Sequence, residues 1–270
     1  MLEAVVMPAN LADASKALGK SESHELIAGG TAVMPLINTG QHDITTLVSL
    51  RSLKMSHVSI TKTGRVTIGA ATPIADLTNV KELSFLQPAI ASIASPSVRN
   101  MATVGGNLFV EQPYGDLAVC LIALGATAVI TKGKSERVED VEVVAAKGVK
   151  AGEIVTEISF SAPAAGSFKY RKASRRNLNS ASIVTVAAVL PIVKGVVKGC
   201  RVALGGVANR PLRAKCVEAL LEGKPLSKDI VSKAAQAASG DINPFTDAYA
   251  SAWYRARVTP IHIRRAILGQ

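Results

Sequence analysis

Aromatic side chains are scarce in this sequence. Phe, Tyr and Trp together make 4% of 270 residues, against 48% hydrophobic residues overall. A core must therefore be built mostly from Ala, Val, Ile and Leu. Cysteine is scarcer still: Cys120, Cys200 and Cys216 lie far apart with no C-x-x-C pair. That argues against a zinc or iron–sulfur site carried by this chain alone and fits a reducing compartment. The histidines, His24, His42, His57 and His262, show no ligand spacing and read as surface or structural residues. Long apolar runs are missing too. The longest, 117–130, is too short and too rich in Gly and Ala to span a bilayer. Glu3, Pro8, Asn10 and Asp13 break up any signal-peptide pattern at the start. These absences lead to the expectation of a soluble, cytoplasmic protein without a membrane span.

What is present is a chain long enough for two domains or one large one. Its 31 Lys and Arg exceed 20 Asp and Glu, giving a net charge of +11. A basic surface attracts an anionic cofactor or an acidic partner. The densest run, Lys169-Tyr170-Arg171-Lys172-Ala173-Ser174-Arg175-Arg176, comes with no zinc-finger spacing, RNA-binding signature or basic zipper, so nucleic acid is not expected.

Local signals predict a helix over Leu11–Leu18 capped by Asn10 and a short strand at 26–28 that runs into Gly29-Gly30-Thr31. A helical turn at 32–37 and a strand over Thr46–Ser49 follow. Strands at 58–60 and 66–68 flank the glycine turn Lys62-Thr63-Gly64-Arg65 as a hairpin. Helices are expected at 74–78, 88–94 and 116–124, and strands at 126–131 and 153–160. The stretch 162–167 reads as a linker. Beyond it, strands at 181–192 and 199–206 precede helices at 213–222, 227–239 and 249–257, the last continuing or restarting at 260–268. Strands first and helices after describe a small α+β unit.

Two glycine loops carry the chemistry. The first, Ala28-Gly29-Gly30-Thr31, follows a strand and precedes a helical turn. Glycine there removes the Cβ that would keep a ligand from the backbone, and successive N–H groups form an anion nest. The second, Thr103-Val104-Gly105-Gly106-Asn107, repeats the pattern with bare backbone, a hydroxyl and an amide. Asp116 follows as a carboxylate able to accept ribose hydroxyls. Neither loop matches G-x-G-x-x-G or the Walker pattern. The residues alone therefore point to a phosphate-bearing cofactor without fixing the nucleotide.

The words around the loops go further. Leu26-Ile27-Ala28-Gly29-Gly30-Thr31 followed by Met34-Pro35 resembles the first flavin loop of the FAD-binding medium subunits of molybdenum hydroxylases, the carbon monoxide dehydrogenase and xanthine dehydrogenase type. Arg99-Asn100-Met101-Ala102-Thr103-Val104-Gly105-Gly106-Asn107 is similar to their second loop, R-N-x-A-T-I-G-G-N. Gln112-Pro113-Tyr114-Gly115-Asp116 resembles the segment after it. Val202-Ala203-Leu204-Gly205-Gly206-Val207-Ala208 with Arg210-Pro211-Leu212-Arg213 resembles the family's C-terminal domain, and Trp253-Tyr254-Arg255 with Arg264-Arg265-Ala266 its closing helix. These ordered motifs span nearly the whole chain. In one place the chain departs from the pattern R-R-x-x-D-x-A: after Arg175-Arg176 the acid is replaced by Asn179.

The resemblance implies an α+β fold. A two-part FAD-binding domain of the vanillyl-alcohol-oxidase-like type would cover 1–162, with subdomains 1–57 and 58–162. A C-terminal domain with a strand layer and packed helices would cover 167–270. The resemblance implies one non-covalent FAD. Its pyrophosphate would lie on loop one, Ile27, Ala28, Gly29, Gly30, Thr31, Ala32 and Val33, and on loop two, Ala102, Thr103, Val104, Gly105, Gly106 and Asn107. Asp116 would bind the adenosine half, Ile93 and Val155 would pack near the adenine or flavin, and Arg171 and Lys172 would reach the flavin. No catalytic side chain and no metal are implied for this chain. Molybdopterin and two [2Fe-2S] clusters would sit on a large and a small partner subunit in a dimer of heterotrimers, with NAD, oxygen or another external acceptor. The alternatives are a standalone FAD-dependent reductase or oxidase and a FAD-free structural subunit.

Overall fold

The computed structural model describes residues 1–40 and 42–270. The chain begins with β1 (Ala4–Val6), α1 (Leu11–Leu18), β2 (His24–Ile27), α2 (Val33–Asn38) and β3 (Thr46–Ser49). The hairpin β4 (Val58–Ile60) and β5 (Arg65–Gly69), two 3-10 segments (Ile74–Asn79 and Lys81–Leu86) and α3 (Gln87–Ser92) come next. Then α4 (Pro96–Met101) and a 3-10 turn (Gly106–Leu108) lead to α5 (Asp116–Ala123), β6 (Thr127–Lys132), β7 (Ser135–Asp140), α6 (Val141–Lys147) and β8 (Ile154–Ser161). The last part holds β9 (Phe168–Ser174), β10 (Ser182–Val189), a small hairpin of β11 (Ile192–Val193) and β12 (Val196–Val197), β13 (Arg201–Gly205) and β14 (Leu212–Arg213). Helices α7 (Lys215–Leu221), α8 (Lys228–Gln236) and α9 (Ala252–Leu268) complete the order.

These elements form two compact units. The first comprises Met1–Val80, Pro96–Val110 and Thr127–Phe160, and the second Lys81–Ser95, Glu111–Ala126 and Ser161–Gln270. Two segments from before the linker, 81–95 and 111–126, thus pack in the second unit. The first unit has a three-stranded parallel sheet in the order β1-β3-β2 and a five-stranded sheet in the order β4-β5-β8-β6-β7. Helix α1 starts where its sequence signal places it: the Asn10 side chain accepts the Asp13 N–H at 2.9 Å from an extended backbone.

The second unit is built on an antiparallel sheet in the order β14-β13-β10-β9. Every residue of β10 is buried, because helices cover both of its faces. Helix α5 lies against β10 and β13 and α3 against β9, while α9 lies against β9 and β10 and α7 against β13. Strand alternation sorts the side chains. Val184, Val186 and Ala188 join the core shared with α7, α8 and α9, and Thr185 turns to the carboxylate at the start of α5.

The structure adds elements that carry no clear local signal in the sequence: α4, β7, α6, β9 and the β11–β12 hairpin. Strand β7 reads SERVED and has no apolar face, yet it pairs with β6 along its full length. Strand β9 is hidden in the basic run, whose charges alternate between two faces. The helix expected over 88–94 stops at Ser92, because Ile93 is extended and Ala94 takes φ 41°. The final helix is continuous through Pro260.

Candidate cofactor site

Loop one begins where the ladder of β2 ends. The Leu50 N–H donates to the Ile27 carbonyl at 2.9 Å, and beyond it the chain turns at Gly30 with φ +72°. The N–H groups of Gly29, Gly30, Thr31 and Ala32 make no hydrogen bond among the described residues, and neither does the Thr31 hydroxyl. The carbonyls of Gly30 and Ala32, by contrast, accept from Met34 and Leu36 at 3.0 and 3.4 Å. With carbonyls turned into the helix and N–H groups left open, the loop is a ready anion cradle. A Cβ on Gly29 would overlap the Met101 carbonyl oxygen. Only glycine lets loop one lie directly against the chain entering loop two.

Loop two uses its backbone differently. The N–H groups of Val104 to Asn107 are paired inside the protein: Val104 donates to Thr72 O at 3.0 Å, Gly105 to Ala70 O at 2.8 Å, Gly106 to Thr103 Oγ1 at 3.1 Å and Asn107 to Thr103 O at 3.0 Å. The Ala102 carbonyl accepts the Ile74 N–H at 2.8 Å, and Thr103 bridges to Pro73. An amide already paired in a turn is less available to a phosphate than the open amides of loop one. Its glycines have other work. A Cβ on Gly105 would stand 2.7 Å from Ala70 Cβ, so that residue is a packing glycine. Gly106 is exposed, and a Cβ there would meet only Thr103 Oγ1 at 2.9 Å. Gly106 is the open point of the loop.

Val155, also in the first unit, lies in β8 opposite Ile130 and is buried in the five-stranded sheet. Ile93, in the second unit, is buried just past α3.

The remaining expected ligands belong to the second unit, and there the structure pairs them with protein groups. Asp116 is 5% exposed. Its Oδ1 accepts from Ser182 Oγ at 2.7 Å and Thr185 Oγ1 at 2.5 Å, and its Oδ2 accepts from Lys172 Nζ at 2.8 Å. Three of the carboxylate's roughly four acceptor sites are thus taken inside the protein, the remaining one being on Oδ2. Lys172 Nζ also donates to the Ser92 carbonyl at 2.9 Å, and the Ser92 and Tyr170 hydroxyls meet at 2.8 Å. Burial, with the Asp116 charge adding to it, pushes both the Tyr170 phenol and the Cys120 thiol well up, so both stay protonated.

Arg171 and Lys172 are expected from the sequence to reach one ligand together. Neighbouring residues of a strand point to opposite faces, and β9 obeys. Lys172 turns to Asp116. Arg171 donates to His262 Nδ1 at 3.3 Å and to the carbonyl of Gln270. Burial, then the Arg171 and Arg265 charges, hold the His262 pKa down to about 4. Ser92, Ser182 and Thr185 are not among the residues that sequence reasoning singles out. A signal for two of them exists in β10, where Ser182 and Thr185 interrupt a strand that is otherwise Ile, Val and Ala.

Among the described residues, no group of His, Cys, Asp and Glu is placed to hold a metal ion, and no helix is long and apolar enough to cross a membrane.

Comparison with known proteins agrees with this frame along the whole chain. Residues 2–163 match the family described as FAD binding domain in molybdopterin dehydrogenase, and residues 168–269 the CO dehydrogenase flavoprotein C-terminal domain. The carbon monoxide dehydrogenase medium chain of Afipia carboxidovorans is 30% identical over 96% of this chain and 93% of its own length. The glyceraldehyde dehydrogenase medium chain of Sulfolobus acidocaldarius is 29% identical over 95% of this chain and 94% of its own. A solved carbon monoxide dehydrogenase from Hydrogenophaga pseudoflava superposes with a TM-score of 0.93 at 26% identity, covering 99% of this chain and 96% of that one. The chain belongs to the FAD-binding subunits of the molybdopterin dehydrogenase family, with the flavoprotein C-terminal domain of CO dehydrogenase as its second part.

Proposed function

We propose that this chain is the FAD-binding electron-transfer subunit of a molybdenum-containing hydroxylase or dehydrogenase. It would stand between the [2Fe-2S] clusters of a small partner subunit and an external acceptor, with the substrate transformed at a molybdopterin centre on a large subunit. The observation that carries this reading is loop one. Four successive unpaired N–H groups and an unpaired hydroxyl, turned by a positive-φ glycine, suit a pyrophosphate. When bound, FAD supplies the redox chemistry, and the protein supplies position and electrostatics.

The residues divide that work. The N–H groups of Gly29 to Ala32 and the Thr31 hydroxyl hold phosphate oxygens. Gly106 leaves the backbone of loop two approachable. Gly105 sets loop two by close packing, and Gly29 packs against Met101 while its N–H faces the ligand. Asp116 and Lys172 brace the second unit.

The test is purification of the chain with whatever copurifies, followed by flavin and metal analysis. Flavin together with molybdenum and iron in fixed ratio is the expected result. Flavin with substrate turnover by this chain alone would favour a standalone flavoenzyme instead. A colourless chain that added FAD does not reconstitute would overturn both.

A further inference from the structure

Helix α9 buries one side, with Arg255, Val258, Thr259, Ile263, Ala266 and Ile267 in the core. Its outer side carries Trp253, Arg257, Ile261, Arg264 and Arg265 at helical spacing. Trp253 is the only tryptophan of the chain and is 67% exposed; Ile261 is 39% exposed. The Arg257 guanidinium sits 5.4 Å from the Trp253 ring centroid, a cation–π contact that steadies the indole. Among the described residues, Arg257, Arg264 and Arg265 form no ion pair with an acidic side chain. Trp and Arg are among the residues most enriched where protein interfaces concentrate their binding energy.

Charge decides what the stripe faces. The unit that contains α9 has 19 Lys and Arg against 8 Asp and Glu, an excess of 11, while the other unit has 12 of each. The whole net charge of the chain therefore lies on the unit of α9. A second copy would offer either the same basic unit, which repels, or an electroneutral one. A bilayer would find only Trp253, Tyr254 and Ile261 as large apolar residues to take up, because Val258, Ile263 and Ile267 sit in the core.

We infer that the outer face of α9 docks an acidic surface of a different polypeptide. Trp253 and Ile261 are its apolar anchors, and Arg257, Arg264 and Arg265 pair with carboxylates. This rests on the subunit reading above in one respect: the acidic polypeptide is another subunit of the same complex.

The experiment uses the full chain with 5-hydroxytryptophan in place of Trp253, alone and assembled with its iron–sulfur and molybdenum subunits. Assembly is expected to shift the label's emission to the blue and to lower its acrylamide quenching severalfold. The double charge reversal R257E/R264E should weaken assembly by about tenfold or more at low salt, with the gap closing as salt rises, and leave FAD per chain unchanged. An assembled, flavin-loaded complex in which the label is quenched as in the free chain overturns the docking face and leaves the subunit reading standing. Failure of the flavin-loaded chain to assemble with any iron or molybdenum protein overturns both. Shielding by phosphatidylglycerol vesicles or duplex DNA, with none on assembly, overturns the choice of a protein partner.

Discussion

Loop one and loop two are near copies on paper, each with a Gly-Gly pair beside a threonine. In three dimensions they do opposite things. Loop one leaves four N–H groups and the Thr31 hydroxyl unpaired at a half-exposed turn. Loop two pairs the N–H groups of Val104 to Asn107 with Thr72, Ala70 and Thr103 and buries all but Gly106 of its Thr103–Asn107 core. An unmade hydrogen bond costs free energy only where water is excluded. Loop one can therefore wait open for a ligand, whereas loop two must satisfy itself. A glycine pair marks close backbone approach; whether the approach is to a ligand or to the protein depends on where the amides go.

The comparison extends to Asp116, most of whose acceptor sites are taken inside the protein. Asp116→Asn would leave Lys172 buried without a counter-charge, and removing one partner of such a pair costs about 3–5 kcal/mol. Urea unfolding of the variant should show a loss of that size, largely restored by adding Lys172→Met. A loss under about 1 kcal/mol would mean that the pair is solvated and that Asp116 is free to serve a ligand.

Gly106→Asp probes the one open point of loop two. A carboxylate beside a pyrophosphate costs several kcal/mol, so the FAD Kd should rise by about 100-fold or more. The fold should survive, because only Thr103 Oγ1 lies close to the new Cβ. Flavin titration reads the first and circular dichroism the second. Unchanged FAD affinity would remove loop two from the cofactor site altogether.

The two threonines give a smaller but cleaner contrast. Thr31→Ala deletes a free hydroxyl and should weaken FAD by about tenfold while leaving thermal stability unchanged. Thr103→Ala deletes the buried acceptor of the Gly106 N–H and should lower stability by about 1–3 kcal/mol. If the two variants behave alike, the loops are not different in kind.

The smallest effect concerns pH. His262 has its pKa lowered from 6.5 to about 4 in the folded protein. Between those values the unfolded chain binds a proton that the folded chain refuses, so stability falls as pH drops from 6.5 towards 4. His262→Gln should flatten that part of the profile. An unchanged slope would assign the acid sensitivity to other groups.

Much of this is legible in the sequence. The Asn10 cap, the hairpin around Gly64, and α5 come from local signals that tertiary contacts do not override. What escapes reading is set by pairing. Ser135–Asp140 is a strand only because β6 supplies its ladder, and a hexapeptide of mostly charged residues carries no period of its own. The ligand roles expected of Asp116 and Lys172 cannot be weighed from sequence because their partners, Ser182, Thr185 and Ser92, lie far away along the chain. The pairing of loop two is hidden for the same reason, since Ala70 and Thr72, which accept two of its amides, lie some thirty residues earlier. Asn179 can now be placed. It takes φ 49°, a region that asparagine tolerates better than most residues, so the departure from the family's acid falls at a turn suited to it.

The interleaving of the two units has a practical outcome for anyone who cuts the gene at the linker. A fragment of 167–270 would keep β9 and β10 but lose α3 and α5, which cover one face of their sheet. Lys172 would be left without its carboxylate, and the covered face of β10 would meet water. The complementary fragment would carry α5, whose eight residues are all buried in the intact chain, as an apolar helix with nothing to lie on. Neither half is a free-standing module. The two family matches meet at the linker, while segments 81–95 and 111–126 from before it pack in the second unit.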